Sequence, residues 1–171
     1  HAIAELISED ADRATVMLAR LGDFLRHALE SSKQPWGSVA TEIAGLEAYL
    51  AVQQARFRDR LSIEVSVPQA AAALAIPSML LQPLAENAVE HGRGGPAATL
   101  VVSVDVTIIG ERLLIIVHNS TPQLTAPLSP GNYGHGLNNV ASRLHAAYGS
   151  AATFRVGPDP RGGTMAVLEV P

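Results

Sequence analysis

The chain has no cysteine in its 171 residues, so neither a disulfide framework nor a thiolate metal site can form. A reducing, cytoplasmic setting accords with that absence. No apolar run reaches the ~20 residues that a membrane helix needs, and no signal peptide precedes the first helical pattern, so the chain as given reads as soluble. Lys and Arg nowhere cluster, and the formal net charge is -4 with a pI near 5.8. That leaves no electrostatic footprint for nucleic acid and none for direct contact with an anionic membrane. The initiator Met is also missing: the chain starts at His1, inside an apolar helical pattern, and we read it as a piece of something longer. What is present is a composition of 47% hydrophobic and 16% charged residues, enough for one main core and a small helical appendage.

The pattern along the chain begins with Ile3, Leu6 and Ile7, a short amphipathic stretch ending near Ser8-Glu9-Asp10. A second helix carries Val16, Leu18, Leu21, Phe24, Leu25 and Leu29 at threes and fours, a wide apolar stripe that must pack against another helix, domain or protomer. A turn-rich break, Ser31 to Ser38, precedes a third helical pattern from Thr41 through Phe57. From Leu61 to Val67 the period becomes two, as in a half-buried strand. Pro77 is expected at a first helical position, with helical spacing from Ser78 to a stop at Gly92. Leu100–Ile109 and Arg112–Val117 form a hairpin about Gly110-Glu111, and Leu137–Tyr148 is helical. Thr153–Val156 and Thr164–Val170 close a last hairpin. Between them, Thr121 to His135 is a long loop rich in Pro and Gly; having few apolar anchors, it is expected to be mobile without a ligand. The expected architecture is α+β, a mixed sheet with helices on one face, preceded by helices.

Chemistry concentrates in Leu80-Leu81-Gln82-Pro83-Leu84-Ala85-Glu86-Asn87-Ala88-Val89-Glu90-His91-Gly92. On a helix Asn87 and His91 stand one turn apart, Glu86 and Glu90 form the adjacent row, and Leu80, Leu81, Leu84 and Ala88 face the core. By composition alone this is an amphipathic surface helix. Further on, Val117-His118-Asn119-Ser120-Thr121-Pro122 ends a strand, and Gly134-His135-Gly136-Leu137 opens a helix. Glycines at a loop-to-helix junction let backbone N–H groups approach an anion such as phosphate, although two glycines alone also suit a plain turn. Gly162-Gly163-Thr164 places a hydroxyl where the last strand begins, a position that by itself is most often a hairpin turn. His118, His135 and His145 have no carboxylate or Cys partners at metal-ligand spacing.

In their order, LLQPLAENAVEHG, VHNSTP, GHGLNNVASRLHAAYG and GGT resemble the N, G1, G2 and final Gly-Thr boxes of the GHKL (Bergerat) ATP-binding fold. AELISEDADRATVMLARLGDFLRHALE and EIAGLEAYLAVQQARFRDRL narrow the resemblance to the LytS-like sensor histidine kinases. The resemblance implies a two-layer α/β sandwich that binds ATP and Mg²⁺ under a lid. Residues 1–34 would be part of the dimerisation and phosphotransfer helices, without the phosphoacceptor His, and residues 38–171 the ATP-binding catalytic domain. It assigns catalytic roles to Glu86 and Asn87, with Asn87 the Mg²⁺ ligand and Glu86 and His91 supporting the metal and phosphates. Gly134, His135, Gly136 and Leu137 would close over the triphosphate. Asn119 stands where the family often has the Asp that accepts from the adenine amino group, and Thr164 would lie near adenine.

Three departures bear on mechanism. The first glycine box reads Asn119-Ser120-Thr121-Pro122-Gln123, without its glycines. Pro83 occupies the place where hydrolytic relatives such as gyrase and MutL carry a water-activating Glu, which favours phosphoryl transfer over hydrolysis. The acceptor segment should precede residue 1, and His1 stands where the family commonly shows Asn. His27 matches a position usually held by Tyr and reads as an ordinary helix residue. Arg56, Phe57 and Arg143 read as packing or ion-pairing residues. Implied partners are ATP, a second protomer through the N-terminal helices and a response regulator, in the cytoplasmic part of a membrane-anchored parent. The rival readings are a nucleotide-sensing or inactive interaction module and a GHKL hydrolase.

Overall fold

The computed structural model of the protein describes residues 10–92, 99–121, 124–129 and 131–171. His1, the Ile3–Ile7 stretch, and Pro122 and Gln123 of the first glycine segment lie outside them. Helix α1 (Ala11–Ser32) leads to the short strand β1 (Trp36–Ser38) and helix α2 (Val39–Phe57). Strand β2 (Leu61–Ser66), the one-turn helix α3 (Gln69–Ala72), strand β3 (Ala75–Pro77) and helix α4 (Leu81–His91) follow. The chain is completed by β4 (Leu100–Ile109), β5 (Arg112–Asn119), α5 (His135–Tyr148), β6 (Thr153–Pro158) and β7 (Thr164–Val170).

Five strands make one mixed sheet in the order β2-β4-β5-β7-β6. β2 and β4 run parallel, and every other pair is antiparallel. Alternation sets the faces. Leu100, Val102, Val104 and Val106 of β4 and Leu113, Ile115 and Val117 of β5 point inward and are buried, while the residues between them are half-buried or exposed. Leu46 and Leu50 of α2, Leu81, Leu84, Ala85 and Ala88 of α4, and Leu137, Val140 and Leu144 of α5 close over that row. Each large aliphatic side chain buried this way contributes ~1.5–3 kcal/mol against the entropy of ordering the chain. The result is the expected two-layer α/β sandwich. No helix among the described residues is long and apolar enough to cross a membrane.

Helix α1 packs on α2 as an antiparallel hairpin. Ala14 and Met17 are buried. Arg20 Nη1 donates to the Ala51 carbonyl at 3.0 Å, Phe24 and Tyr49 meet with ring centroids 5.8 Å apart, and His27 Nε2 lies 2.8 Å from the Thr41 carbonyl. The His27 ring fills the space beside Gly45, where a Cβ would come within 2.7 Å of it. One stripe of α1 remains uncovered: Leu25 is 51% and Leu29 63% exposed.

Two expectations need correction. Pro77 does not open a helix. It ends β3, which pairs with β1 through Trp36↔Pro77, Gly37↔Ile76 and Ser38↔Ala75, and helix α4 starts at Leu81 after Met79, a non-glycine residue at φ 62°. A proline at a strand end gives up only one N–H, which suits that place as well as a helix start. The loop before α5 also has apolar anchors. Leu124 and Leu128 pack against the core, Leu128 N–H donates to the Val156 carbonyl on the edge strand β6 at 2.8 Å, and Tyr133 is buried against Phe154 with centroids 5.2 Å apart.

Candidate functional site

Helix α4 has two faces because its apolar residues recur at threes and fours. Leu81, Leu84, Ala85 and Ala88 are buried in the core, which turns Glu86 and Asn87, both half-buried, and Glu90 and His91, both exposed, toward the loop and the start of α5. Glu86 is oriented by Gln82, whose Nε2 donates to Glu86 Oε1 at 2.8 Å one turn away.

Across from this row stands the N-terminus of α5. Gly134 is its N-cap and brings no side chain to satisfy the first-turn N–H groups, so those donors remain for a ligand. Gly136 faces Pro83, and an added Cβ would sit 3.5 Å from the proline's own. Two adjoining cavities lie between the elements. One, of about 320 Å³, is walled by Leu124, Leu128, Leu137 and Val156 with Asn87, His91, Asn132, Gly134 and Thr164. The other, of about 240 Å³, is lined by Pro83, Glu86, Asn87, Glu90, His91 and the Gly134–Leu137 turn. They share Asn87, His91, Gly134 and Leu137. The first is an apolar slot and the second a polar, glycine-edged one.

Thr164 lines the apolar slot from β7, and Asn119 is its cross-strand partner on β5. Both are buried, at 2% and 7% exposure. Asn119 Nδ2 donates to the Ala88 carbonyl at 3.2 Å, which fixes the amide with its oxygen pointing elsewhere. That oxygen, Oδ1, and Thr164 Oγ1 are the buried side-chain polar atoms with no hydrogen-bond partner among the described residues. Burying such an atom unpaired costs ~1–3 kcal/mol, so the pair is a cost to the fold unless a ligand meets it. Gly163 makes this corner possible: at φ 91° it lies so close to β5 that a Cβ would fall 1.9 Å from the Asn119 carbonyl oxygen.

The same corner carries a small charged cluster on the other side of the sheet. Asp159 accepts from Arg161 through its backbone N–H at 2.8 Å and its guanidinium at 2.9 Å, with His118 Nε2 3.7 Å away. Arg161 holds the buried carboxyl down at about 2 from an ordinary 3.8. His118 itself lies 2.8 Å from the Gly162 carbonyl.

The fold therefore gathers Glu86, Asn87, His91, Gly134, His135, Gly136, Leu137 and Thr164 around two joined cavities, with Asn119 beside Thr164. No sequence signal marked the apolar walls Leu124, Leu128 and Val156. Glu42, on α2, was missed as well. Among the described residues no group of three or more His, Asp or Glu is placed to hold a metal, so any cation here would take few ligands from the protein.

The chain is similar to several known proteins. A family model described as histidine kinase matches residues 1–61. Sensor histidine kinase BtsS of Escherichia coli (strain K12) is 28% identical over 171 residues, covering 100% of this chain and 30% of the relative. Sensor protein LytS of Enterococcus faecalis (strain ATCC 700802 / V583) is 27% identical over 181 residues, covering 100% of this chain and 31% of the relative. The catalytic domain of histidine kinase ThkA superposes with a TM-score of 0.58 at 13% identity, covering 80% of this chain and 94% of that domain. This chain is a relative of the LytS-like sensor histidine kinases. It has the GHKL catalytic-domain fold, and it spans about 30% of the length of those curated relatives. ThkA has also been solved in complex with response regulator protein TrrA, and that kinase superposes with a TM-score of 0.53 at 14% identity over 92% of this chain and 49% of its own.

Proposed function

We propose that this chain is the Mg-ATP-binding catalytic module of a sensor histidine kinase, presenting the γ-phosphoryl group to a His on a dimerisation helix outside the chain. The observation that carries the reading is the pair of buried, unpartnered oxygens beside an apolar slot, Asn119 Oδ1 and Thr164 Oγ1. An acceptor held in place by the Ala88 carbonyl suits the amino group of adenine, and a hydroxyl that can donate or accept suits a ring nitrogen. The slot walls would flank the base, and the adjoining polar cavity would take the phosphates, with the α5 N-terminus and Gly134–Gly136 offering backbone donors. Asn87 would supply the oxygen ligand for Mg²⁺, with Glu86 and His91 nearby. Bound there, the cation would neutralise phosphate charge. The chain's own contribution is to orient the nucleotide and exclude water around it.

In the parent protein the uncovered stripe of α1 would be buried against a second copy, giving a homodimer, and residues 1–34 and 38–171 would be the dimerisation and catalytic parts. A response regulator would receive the phosphoryl group, as the ThkA complex with TrrA suggests. The parent would be membrane-anchored with this part in the cytoplasm. Titration calorimetry with Mg-ATP, followed by autophosphorylation of a chain extended upstream, tests the proposal. Submillimolar binding and an acid-labile, base-stable adduct are expected. Binding without labelling of the extended chain would favour the second reading, a nucleotide-sensing or inactive module. That alternative is motivated by Ser120, which is tied to β4 through both its N–H and its hydroxyl instead of forming a glycine turn.

A further inference from the structure

Glu42 is a charged residue at 5% exposure in the first turn of α2. Its carboxylate accepts three backbone N–H groups from the turn that opens α4. Met79 N–H donates to Oε1 at 2.7 Å, Leu80 N–H to Oε2 at 2.8 Å and Leu81 N–H to Oε2 at 3.1 Å. The N-cap residue of α4, Leu80, has no side-chain cap of its own. A helix leaves its first N–H groups unsatisfied and its N-terminus partly positive, and a carboxylate answers both needs. Here that carboxylate comes from a different helix, across 37 to 39 positions of sequence.

The turn is fixed from other sides too. Arg143 Nη1 of α5 donates to the Ser78 carbonyl at 3.2 Å, and Ser78 N–H donates to the Pro35 carbonyl at 3.1 Å. Met79 holds φ 62°, a left-handed conformation that a non-glycine side chain keeps only where its surroundings over-determine it. Asn87 lies six residues into the helix from Leu81, about 9 Å along its axis. A rigid α4 cannot shift at its first turn without carrying Asn87, Glu86 and His91 across the cavities they line.

We propose that Glu42 is the positioning residue of the metal and phosphate side of the site: by clamping the first turn of α4 it sets where Asn87 stands relative to the α5 N-terminus. This rests on the Mg-ATP reading above. The base pocket is tied to α4 as well, through the bond from Asn119 Nδ2 to the Ala88 carbonyl, but Thr164 and the walls Leu124, Leu128 and Val156 stand on other elements, so it depends on the clamp less.

The test uses the 171-residue chain, unaltered and as Glu42→Gln and Glu42→Asp, with folding checked by thermal unfolding. Glu42→Gln keeps the side chain's size but turns an NH₂ toward the backbone donors, and Glu42→Asp keeps the charge but shortens the reach. In the unaltered chain the amides of Met79, Leu80 and Leu81 should be strongly protected from hydrogen exchange, and in either variant that protection should fall. ATP affinity is then measured with Mg²⁺ and with EDTA. The Mg²⁺-dependent gain should drop about 10–100-fold, the range seen when a group that orients a metal ligand is removed, while Mg²⁺-free binding, which α4 supports only through the Asn119–Ala88 bond, falls much less. In an Asn87→Ala background Glu42→Gln should bring no further loss of that gain. Fast exchange of the three amides in the unaltered chain, an unchanged Mg²⁺-dependent gain in folded variants, or an equal loss with and without Mg²⁺ would each overturn the proposal. No Mg-ATP binding by the unaltered chain would instead sink the nucleotide reading, and the exchange data would still report whether Glu42 holds the helix.

Discussion

Replacing Thr164 by Val should make the protein more stable and worse at binding nucleotide. The hydroxyl of Thr164 is buried without a hydrogen-bond partner, and a fold carrying such a group bears a desolvation cost of ~1–3 kcal/mol. Valine keeps the branched shape and the β7 backbone pairing while removing the polar atom, so a gain of about 1 kcal/mol is expected, the low end of that range. For a chain of this size the gain corresponds to a rise in melting temperature of roughly 2–4 °C, measurable by calorimetry or fluorescence. The same change removes the donor or acceptor proposed to meet the adenine ring. Mg-ATP affinity should fall by about tenfold, the equivalent of one hydrogen bond at ~1.4 kcal/mol. Both signs must appear together. If Thr164→Val lowers the melting temperature, the hydroxyl is paired in the protein and was misread. If stability rises but ATP affinity holds, the unpaired oxygen is not part of the base pocket.

Asn87→Ala should abolish the Mg²⁺-dependent part of ATP binding with the melting temperature nearly unchanged, because Asn87 is only half-buried, on the cavity side of its helix; calorimetric titration decides, and unchanged affinity would remove Asn87 from the site. Stability should decline in acid as Asp159 titrates. Its folded pKa of about 2 lies below the ordinary 3.8 because Arg161 favours the charged form, so its contribution is full above pH ~4 and lost as the pH falls toward 2. Asp159→Asn should flatten that part of the urea-unfolding profile, and an unchanged slope would show that the carboxylate is not favoured by folding. Incubation with radiolabelled ATP should leave this chain unlabelled. His27 is engaged with the Thr41 carbonyl and packed beside Gly45, so label that disappears in His27→Gln would show the acceptor to be misplaced.

What could be read from the sequence follows the range of each interaction. The rows of α4, the hairpins β4–β5 and β6–β7, and the glycine-edged start of α5 are local patterns, carried by spacings of two, three and four residues, and the fold keeps them. Asn119 was picked out through the family resemblance alone; its burial follows from strand alternation, because β5 runs two residues further than the expected Val117. β1 and β3 were not legible: three residues each are too few to show a period. Pro77 was assigned to a helix for the same reason, since a proline is equally at home at a strand end. The loop anchors were hidden because Leu124 and Leu128 sit in a run of Pro, Ser and Thr that has no period. Only the free edge of β6 tells Leu128 where to pair. Glu42 has no local signature at all, because its partners lie more than 35 positions away.

These long-range contacts also bear on why the proposed site would transfer a phosphoryl group instead of spending it on water. In hydrolytic relatives a carboxylate at the place of Pro83 activates the attacking water. Here Pro83 lines the polar cavity and packs toward Gly136, and a proline ring can neither accept a proton nor orient a water molecule. Glu86, the carboxylate in the half-buried row, is held on the next turn of α4 by Gln82 through Oε1, one turn away from the place of Pro83. The other groups around that cavity are an amide, imidazoles, backbone N–H groups and the exposed Glu90, a set suited to holding a charged group in place more than to generating a nucleophile. In the proposed reading the nucleophile would then be delivered from outside the cavity, by an element that can approach its open side. Helix α1, fastened to α2 through Arg20, Phe24 and His27 while its Leu25 and Leu29 face solvent, would on that reading be the part of this chain to dock such an element. Thr41, whose carbonyl meets His27, is the sequence neighbour of Glu42, whose carboxylate holds the first turn of α4, so the same turn of α2 connects α1 to the helix that bears Asn87.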